Sequence, residues 1–181
     1  MNLANLITLG RLLSVPAAVW LILVDQMLGA FVLFVLAGVS DAVDGFIAKN
    51  FGQKTQLGAL LDPIADKALL VSVYVTLGIA GHLPTWLVIL VVFRDVLIVG
   101  GYLLLMMIAE APSWQPLMIS KINTGLQIAL VAVLLAWLGL GLGGVAVVTT
   151  LIWAVAATTV LSGAAYLVRW GRALAGIEEA Q

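Results

Sequence analysis

Four aspartates lie within one short and otherwise apolar stretch of the sequence, residues 40–67. They form two pairs, Asp41 with Asp44 and Asp62 with Asp66, so the members of each pair are three or four positions apart. On a helix, residues at these spacings share one face, and the four carboxylates converge if the two helices pack together. A charged side chain at mid-bilayer costs about 2.5–3.5 kcal/mol, which a bound divalent cation would offset. Carboxylate oxygens, in a chain without Cys, favour magnesium, manganese or calcium over zinc.

The composition places these acids in a membrane protein. Hydrophobic residues make up 64% of the 181 positions and charged residues 9%, and the mean hydropathy is +1.20. These values are too apolar for a soluble domain of this size and predict an integral membrane protein. A net charge of −1 excludes a nucleic-acid-binding role that depends on bulk electrostatics, and the absence of Cys excludes thiol chemistry. Lipids are the expected partners.

Six apolar segments, each about as long as a spanning helix requires, follow one another with short separators. They are residues 3–24, 28–48, 57–80, 85–109, 117–138 and 145–168. The sequence therefore predicts an all-α integral membrane protein with six transmembrane helices in one bundle, and a single domain over residues 1–181.

The basic residues predict how this bundle is oriented. Lys49 and Lys54 lie in the second connection, Lys121 follows the fourth, and Arg169 and Arg172 follow the last segment. By the positive-inside rule, both termini and the 49–56 loop face the cytoplasm, so the aspartates open to the cytoplasmic side. Because no transit-like leader is recognisable, we expect a bacterial inner membrane.

Other polar residues in apolar surroundings are candidates for binding an anionic group. Arg94 lies well inside the fourth segment, where its planar guanidinium suits phosphate, although a buried structural ion pair is the alternative. Lys121, Asn123 and Thr124 begin the fifth segment, either as phosphate contacts or as an interfacial anchor with a helix-start signal.

Two further groups of residues lie near the same cytoplasmic end. Asn5, Thr8 and Arg11 recur every three positions, so they form one helical stripe that either faces the site or faces the membrane interface. Gly45 and Gly58 either allow close helix packing or leave room for a ligand, and their place beside the acids favours the ligand.

Taken together, the residues from Asp41 to Asp66 spell D-x2-D-G-x2-A-K-x8-G-x3-D-x3-D. This string resembles the signature of the CDP-alcohol phosphatidyltransferases at every spacing, and Lys49 replaces an Arg of that signature. The six predicted helices match the same family. The segments RDVLIVGG (94–101) and PLMISKINTGLQ (116–127) are most similar to the CMP-forming, eukaryotic-type cardiolipin synthases, with the phosphatidylglycerophosphate synthases close behind.

The resemblance implies that a phosphatidyl group passes from CDP-diacylglycerol to a hydroxyl and that CMP is released. It implies two divalent ions, Mg²⁺ or Mn²⁺, held by Asp41, Asp44 and Asp62, with Asp66 as a further ligand or as the general base. It also implies one set of residues that contacts CDP and a second set that contacts the phosphate of the acceptor. The CDP set is Gly45, Ala48, Lys49, Gly58, Asn5, Thr8 and Arg11, and the acceptor set is Arg94, Lys121, Asn123 and Thr124. A homodimer is the expected assembly.

The acceptor set predicts the acceptor. Asn123 replaces a second Lys of the phosphatidylglycerophosphate synthases, and this weaker cluster suits the singly charged phosphodiester of phosphatidylglycerol better than glycerol 3-phosphate. We therefore expect cardiolipin as the product. An ion-coupled transporter is a distant alternative, but the acids form one block and no repeat of residues 40–67 occurs. The presence of all four acids argues against an inactive scaffold.

Overall fold

The computed structural model describes the backbone of residues 3–51, 56–108 and 117–178, and the side chains of residues 10, 12–40, 67–101 and 117–172. Within these ranges all regular structure is helical. The helices are α1 (Leu3–Leu23), α2 (Met27–Phe51), α3 (Gln56–Ile79), α4 (Thr85–Ile108), α5 (Met118–Leu140) and α6 (Val145–Glu178). The predicted all-helical chain is confirmed, and each helix begins within one residue of its apolar segment.

Two helices of the described chain are long and apolar enough to cross a membrane. They cover Met118–Leu140 and Val145–Arg172. The apolar parts of the other helices within the described ranges are shorter, so the six-span bundle stays a prediction. Helix α6 differs most from its segment, because it continues to Glu178, well past Val168. Hydropathy marks where an apolar span ends, whereas an amphipathic or polar sequence without Pro continues as helix.

The chain divides into two compact units, and the first contains residues 1–84 and 131–148. In this unit α1 packs against both α2 and α3. Its core is apolar and includes the fully buried side chains of Val73, Tyr74 and Leu77 on α3. Gly139 allows the end of α5 to approach the start of α2, since a Cβ there would lie 2.7 Å from the backbone nitrogen of Leu28.

The end of α3 is fixed by a glycine in the left-handed region. Gly81 has φ of 79°, which a residue without a side chain adopts at little cost. The amide of His82 then donates to the carbonyl oxygen of Leu77 at 2.9 Å and closes the helix. His82 is therefore a turn residue, as its position between Gly81 and Pro84 indicates.

The second unit contains residues 85–130 and 149–181, that is α4, the first part of α5 and most of α6. Its core combines apolar side chains such as Leu87, Val91 and Val155 with buried polar ones. The buried polar side chains are Arg94 and Asp95 on α4, Asn123 and Gln127 on α5, and Thr159 and Ser162 on α6. In the described part of the first unit, by comparison, Thr76 is the buried polar residue.

Candidate functional site

The four aspartates fall on two helices of the first unit. Asp41 and Asp44 lie in α2, and Asp62 and Asp66 lie in α3, so the helical spacing on which their convergence depends is present. Their side chains lie outside the described residues. Helix α3 continues through Pro63.

The CDP-binding candidates belong to the same unit. Asn5, Thr8 and Arg11 lie in α1, Gly45, Ala48 and Lys49 in α2, and Gly58 in α3. The side chains of these residues also lie outside the described part of the chain. Because α1 packs against both α2 and α3, the first unit brings the three helices that carry these residues into contact.

Arg94 is the centre of a polar cluster that joins the three helices of the second unit. Its side chain is buried, with 4% of the residue exposed. Nη1 donates to Oδ1 of the neighbouring Asp95 at 2.9 Å, and Nε donates to Oγ of Ser162 on α6 at 3.2 Å. Nη2 donates to the hydroxyl of the same Ser162 and to that of Ser120 on α5. The guanidinium is therefore held by α4, α5 and α6 together.

The structure thus contains the buried ion pair that was the alternative for Arg94. The pair with Asp95 does not use every donor of the guanidinium. Nη1 carries a second hydrogen for which the described residues supply no acceptor. Arg94 is therefore both part of the helix packing and a source of one remaining N–H donor.

The other acceptor-phosphate candidates lie in the first two turns of α5. Lys121 is exposed, whereas Asn123 is completely buried. The hydroxyl of Thr124 donates to the backbone carbonyl oxygen of Ser120 at 3.2 Å. Because Ser120 also accepts from Arg94, the structure brings Arg94 to the turn that carries Lys121. These candidates therefore share one end of the second unit.

Asn123 is oriented by α6. Its Oδ1 accepts from the hydroxyl of Thr158 at 2.8 Å and from that of Thr159 at 2.9 Å. The Thr158 hydroxyl also lies 2.8 Å from the carbonyl oxygen of Ala154, so one hydrogen serves two acceptors. The amide nitrogen Nδ2 of Asn123 is buried and has no hydrogen-bond partner among the described residues. A buried amide donor without an acceptor is uncommon in folded proteins, and it is a candidate for binding a ligand.

The polar residues on α6 were not predicted from the sequence. Thr158, Thr159 and Ser162 are single hydroxyl residues in an apolar helix, and such residues are common in membrane proteins. The signal that could have found them is their spacing, since positions 158 and 162 are four apart and share one face. On α5 the same argument joins Ser120, Asn123 and Gln127, of which only Asn123 was singled out.

Among the residues whose side chains are described, no three His, Asp or Glu side chains lie close enough together to hold a metal ion. The second unit thus offers hydrogen-bond donors and a cation in its described part. This set is suited to binding an anionic group. The four aspartates of α2 and α3 are the oxygen ligands expected for a divalent cation, and this metal site stays a prediction.

Comparison with known proteins agrees with the motif. Residues 1–161 match the family model of the CDP-alcohol phosphatidyltransferases. The chain is 35% identical, over 94% of its length, to a chloroplastic CDP-diacylglycerol–glycerol-3-phosphate 3-phosphatidyltransferase of Oryza sativa subsp. japonica. It is 34% identical, over 75% of its length, to the CMP-forming cardiolipin synthase of Rattus norvegicus. It is also 37% identical, over 52% of its length, to a probable phosphatidylglycerophosphate synthase of Mycobacterium tuberculosis.

The alignments cover only part of these relatives. They span 57% of the rice protein, 50% of the rat protein and 48% of the mycobacterial protein. Relatives that carry either of these activity names are therefore similar to this chain over about half of their own length.

Proposed function

Because the chain belongs to the CDP-alcohol phosphatidyltransferase family, we propose that it transfers a phosphatidyl group from CDP-diacylglycerol to the hydroxyl of phosphatidylglycerol, giving cardiolipin and CMP. The observation that carries the proposal is the motif from Asp41 to Asp66, which is complete except for Lys49. Its two halves lie on helices α2 and α3. The family match over residues 1–161 and the similarity to CMP-forming cardiolipin synthases support it.

The donor set of the motif fits a hard divalent cation, because it consists of carboxylate oxygens at one-turn spacing on two helices. Asp41, Asp44, Asp62 and Asp66 would hold Mg²⁺ or Mn²⁺, with two ions as the expected number. When bound, such ions neutralise the diphosphate and polarise the phosphorus under attack.

The residues of the chain account for the remaining steps. Asp66 takes the proton from the acceptor hydroxyl as the oxygen attacks the phosphatidyl phosphorus. The bond from that phosphorus to the bridging oxygen of the diphosphate breaks, and CMP leaves with its electron pair. Lys49 contacts the nucleotide phosphates, and the small residues Gly45, Ala48 and Gly58 leave room for the nucleotide. Asn5, Thr8 and Arg11 contact the CDP from α1, the helix that packs against α2 and α3.

The charges of the second unit support the choice of acceptor. Asp95 lies 2.9 Å from Arg94, so its carboxylate offsets much of the guanidinium charge. Of the acceptor set, Lys121 is then the exposed cation. Arg94, Asn123 and Thr124 add hydrogen-bonding capacity without a second full charge. A phosphodiester with a single negative charge suits this set better than a phosphomonoester with nearly two.

Phosphatidylglycerophosphate synthase activity is the second candidate, with glycerol 3-phosphate as the acceptor. The specific observation in its favour is the similarity to the rice and mycobacterial proteins, whose names carry that activity. Both candidates use the same donor and release the same product, CMP. They differ in whether the acceptor is a lipid or a soluble molecule.

Two apolar helices and the family support a membrane location. We propose a six-span bundle in a bacterial inner membrane, with both termini and the aspartates on the cytoplasmic side, and a homodimer as the assembly. The orientation is tested with single cysteines, because the chain has no Cys of its own. One cysteine is introduced at position 53 or at position 82, and its reactivity toward a membrane-impermeant reagent is measured. Labelling of position 82 from outside and protection of position 53 is the expected result.

The enzyme class is tested by release of CMP. Purified protein in lipid vesicles is given CDP-diacylglycerol labelled in the cytidine, with and without an acceptor and with and without Mg²⁺ or Mn²⁺. Release of labelled CMP that requires the metal supports the proposal. Absence of release under every condition would reject it and favour the transporter alternative.

A further inference from the structure

Three hydroxyl residues on α6 contact the acceptor-binding candidates of the other two helices in the second unit. Ser162 accepts from Nε and Nη2 of Arg94, and Thr158 and Thr159 donate to Oδ1 of Asn123. Position 162 is four residues after 158 and three after 159, so these side chains share one side of α6. We name Thr158, Thr159 and Ser162 the α6 hydroxyl stripe.

We propose that the α6 hydroxyl stripe positions Arg94 and Asn123 for the phosphate group of the acceptor. This inference rests on the proposed function, and it assigns a role to residues outside the motif. The hydroxyls of Ser162 and Thr159 are hydrogen-bonded to Arg94 and Asn123, so they act on a ligand through the side chains that they hold. They are positioning residues.

Hydroxyls are suited to this task because one group both accepts and donates. Ser162 accepts from Nε and Nη2 along one edge of the guanidinium, Ser120 also accepts from Nη2, and Asp95 accepts from Nη1. The plane of the guanidinium is thereby fixed by three helices. A preorganised guanidinium loses less entropy when it binds phosphate than one that is free to rotate.

The stripe also leaves donors available on the two side chains that it holds. In Asn123 the hydroxyls of Thr158 and Thr159 occupy Oδ1, and the buried Nδ2 has no partner in the described part of the chain. In Arg94 the second hydrogen of Nη1 has no acceptor among the described residues. A group with several acceptor oxygens, such as a phosphate, satisfies such donors, and the cost of leaving a buried donor unpaired makes that contact favourable.

The test removes hydroxyls from the stripe and separates acceptor binding from stability. Ser162→Ala removes the acceptor for Arg94, and Thr159→Val removes a donor to Asn123 while keeping the shape of the side chain. Thr159→Ser keeps the hydroxyl and serves as the conservative variant. Thr149→Val is the matched control, because Thr149 is an exposed hydroxyl on the same helix. For each variant, kcat, the KM for phosphatidylglycerol, the KM for CDP-diacylglycerol and the thermal unfolding temperature are measured.

We expect Ser162→Ala and Thr159→Val to raise the KM for phosphatidylglycerol by about tenfold, which corresponds to about 1.4 kcal/mol. The KM for CDP-diacylglycerol stays unchanged, and Thr159→Ser and Thr149→Val behave like the wild type. A merely structural role would instead lower the unfolding temperature and reduce kcat with the folded fraction, leaving the KM for phosphatidylglycerol unchanged. That result in Thr159→Val, or in both variants, would overturn the inference.

Assays of the wild-type protein distinguish an error in the role of the α6 hydroxyl stripe from an error in the proposed function. If the wild type makes cardiolipin and the hydroxyl-free variants keep its KM for phosphatidylglycerol, only the role of the stripe is wrong. If the wild type uses glycerol 3-phosphate instead, the same variants are measured with that acceptor, and an unchanged KM again overturns the positioning role. A wild type that releases no CMP rejects both.

Discussion

Arg94 and Asp95, adjacent on α4, form a buried ion pair in which Nη1 lies 2.9 Å from Oδ1. Both residues are about 5% exposed or less. Removing one partner of a buried pair leaves the other charge uncompensated, which typically costs about 3–5 kcal/mol, whereas replacing both partners with apolar residues is often neutral. Arg94 and Asp95 therefore define the first prediction.

Asp95→Leu should lower the unfolding temperature strongly in detergent or lipid, because Arg94 stays charged and buried. The double variant Arg94→Met/Asp95→Leu should regain most of that loss. Thermal unfolding of the wild type and of both variants measures the effect. If the double variant unfolds at or below the temperature of the single variant, the pair is not the main electrostatic interaction of α4.

Gly100 and Gly101 give a second prediction with a control in the neighbouring position. A Cβ at Gly101 would overlap the ring of Trp170 on α6, whereas a Cβ at Gly100 would meet no atom within 4 Å. Gly101→Ala should destabilise the second unit by about 1–3 kcal/mol through overpacking, and Gly100→Ala should be neutral or slightly stabilising. Equal unfolding temperatures for the two variants would contradict the packing of Trp170 against α4.

A third prediction separates the roles of the acids. Asp66→Asn should abolish turnover while CDP-diacylglycerol still binds, because the amide keeps the shape but does not take a proton. Asp41→Asn should instead raise the concentration of Mg²⁺ or Mn²⁺ needed for half-maximal activity. Removal of metal by a chelator should stop the wild type, and added metal should restore it. If Asp66→Asn keeps more than about a tenth of the wild-type rate, the activation free energy has risen by less than about 1.4 kcal/mol. That result would exclude Asp66 as the general base.

Lys49, the one departure from the motif, gives a fourth prediction. Lys49→Arg should keep or lower the KM for CDP-diacylglycerol, since a guanidinium contacts two phosphate oxygens at once. Lys49→Ala should raise it, with the KM for the acceptor unchanged. Initial rates at varied donor concentration measure both. Unchanged donor kinetics in the alanine variant would show that Lys49 serves only to mark the cytoplasmic face.

The helices could be predicted from sequence because the apolar segments are long and their separators are short. The end of an apolar segment predicts the end of its helix less well where the helix continues into polar sequence. Helix α6, for example, continues through Arg169 and Arg172 to Glu178. A charged residue ends an apolar span, but it does not end hydrogen bonding along a helix.

The spacing of Asp41 to Asp66 predicts the acids of the site; the structure places them on helices α2 and α3, and their convergence stays a prediction. The partners of Arg94 could not be predicted, because Ser162 lies 68 residues away in sequence and hydroxyl residues in membrane helices are frequent. Sequence showed that Arg94 would need a partner in an apolar helix. Only the packing of α4, α5 and α6 shows that Ser120 and Ser162 supply it together with Asp95.

Phosphatidylglycerol and glycerol 3-phosphate are distinguished as acceptors by analysis of the lipid product. Purified protein in lipid vesicles with Mg²⁺ or Mn²⁺ and CDP-diacylglycerol is offered phosphatidylglycerol and glycerol 3-phosphate separately, and the lipid products are resolved by mass. A single exposed cation, Lys121, beside the charge-paired Arg94 predicts cardiolipin from phosphatidylglycerol and little product from glycerol 3-phosphate. Efficient formation of phosphatidylglycerophosphate without cardiolipin would contradict phosphatidylglycerol as the acceptor and assign the second candidate activity.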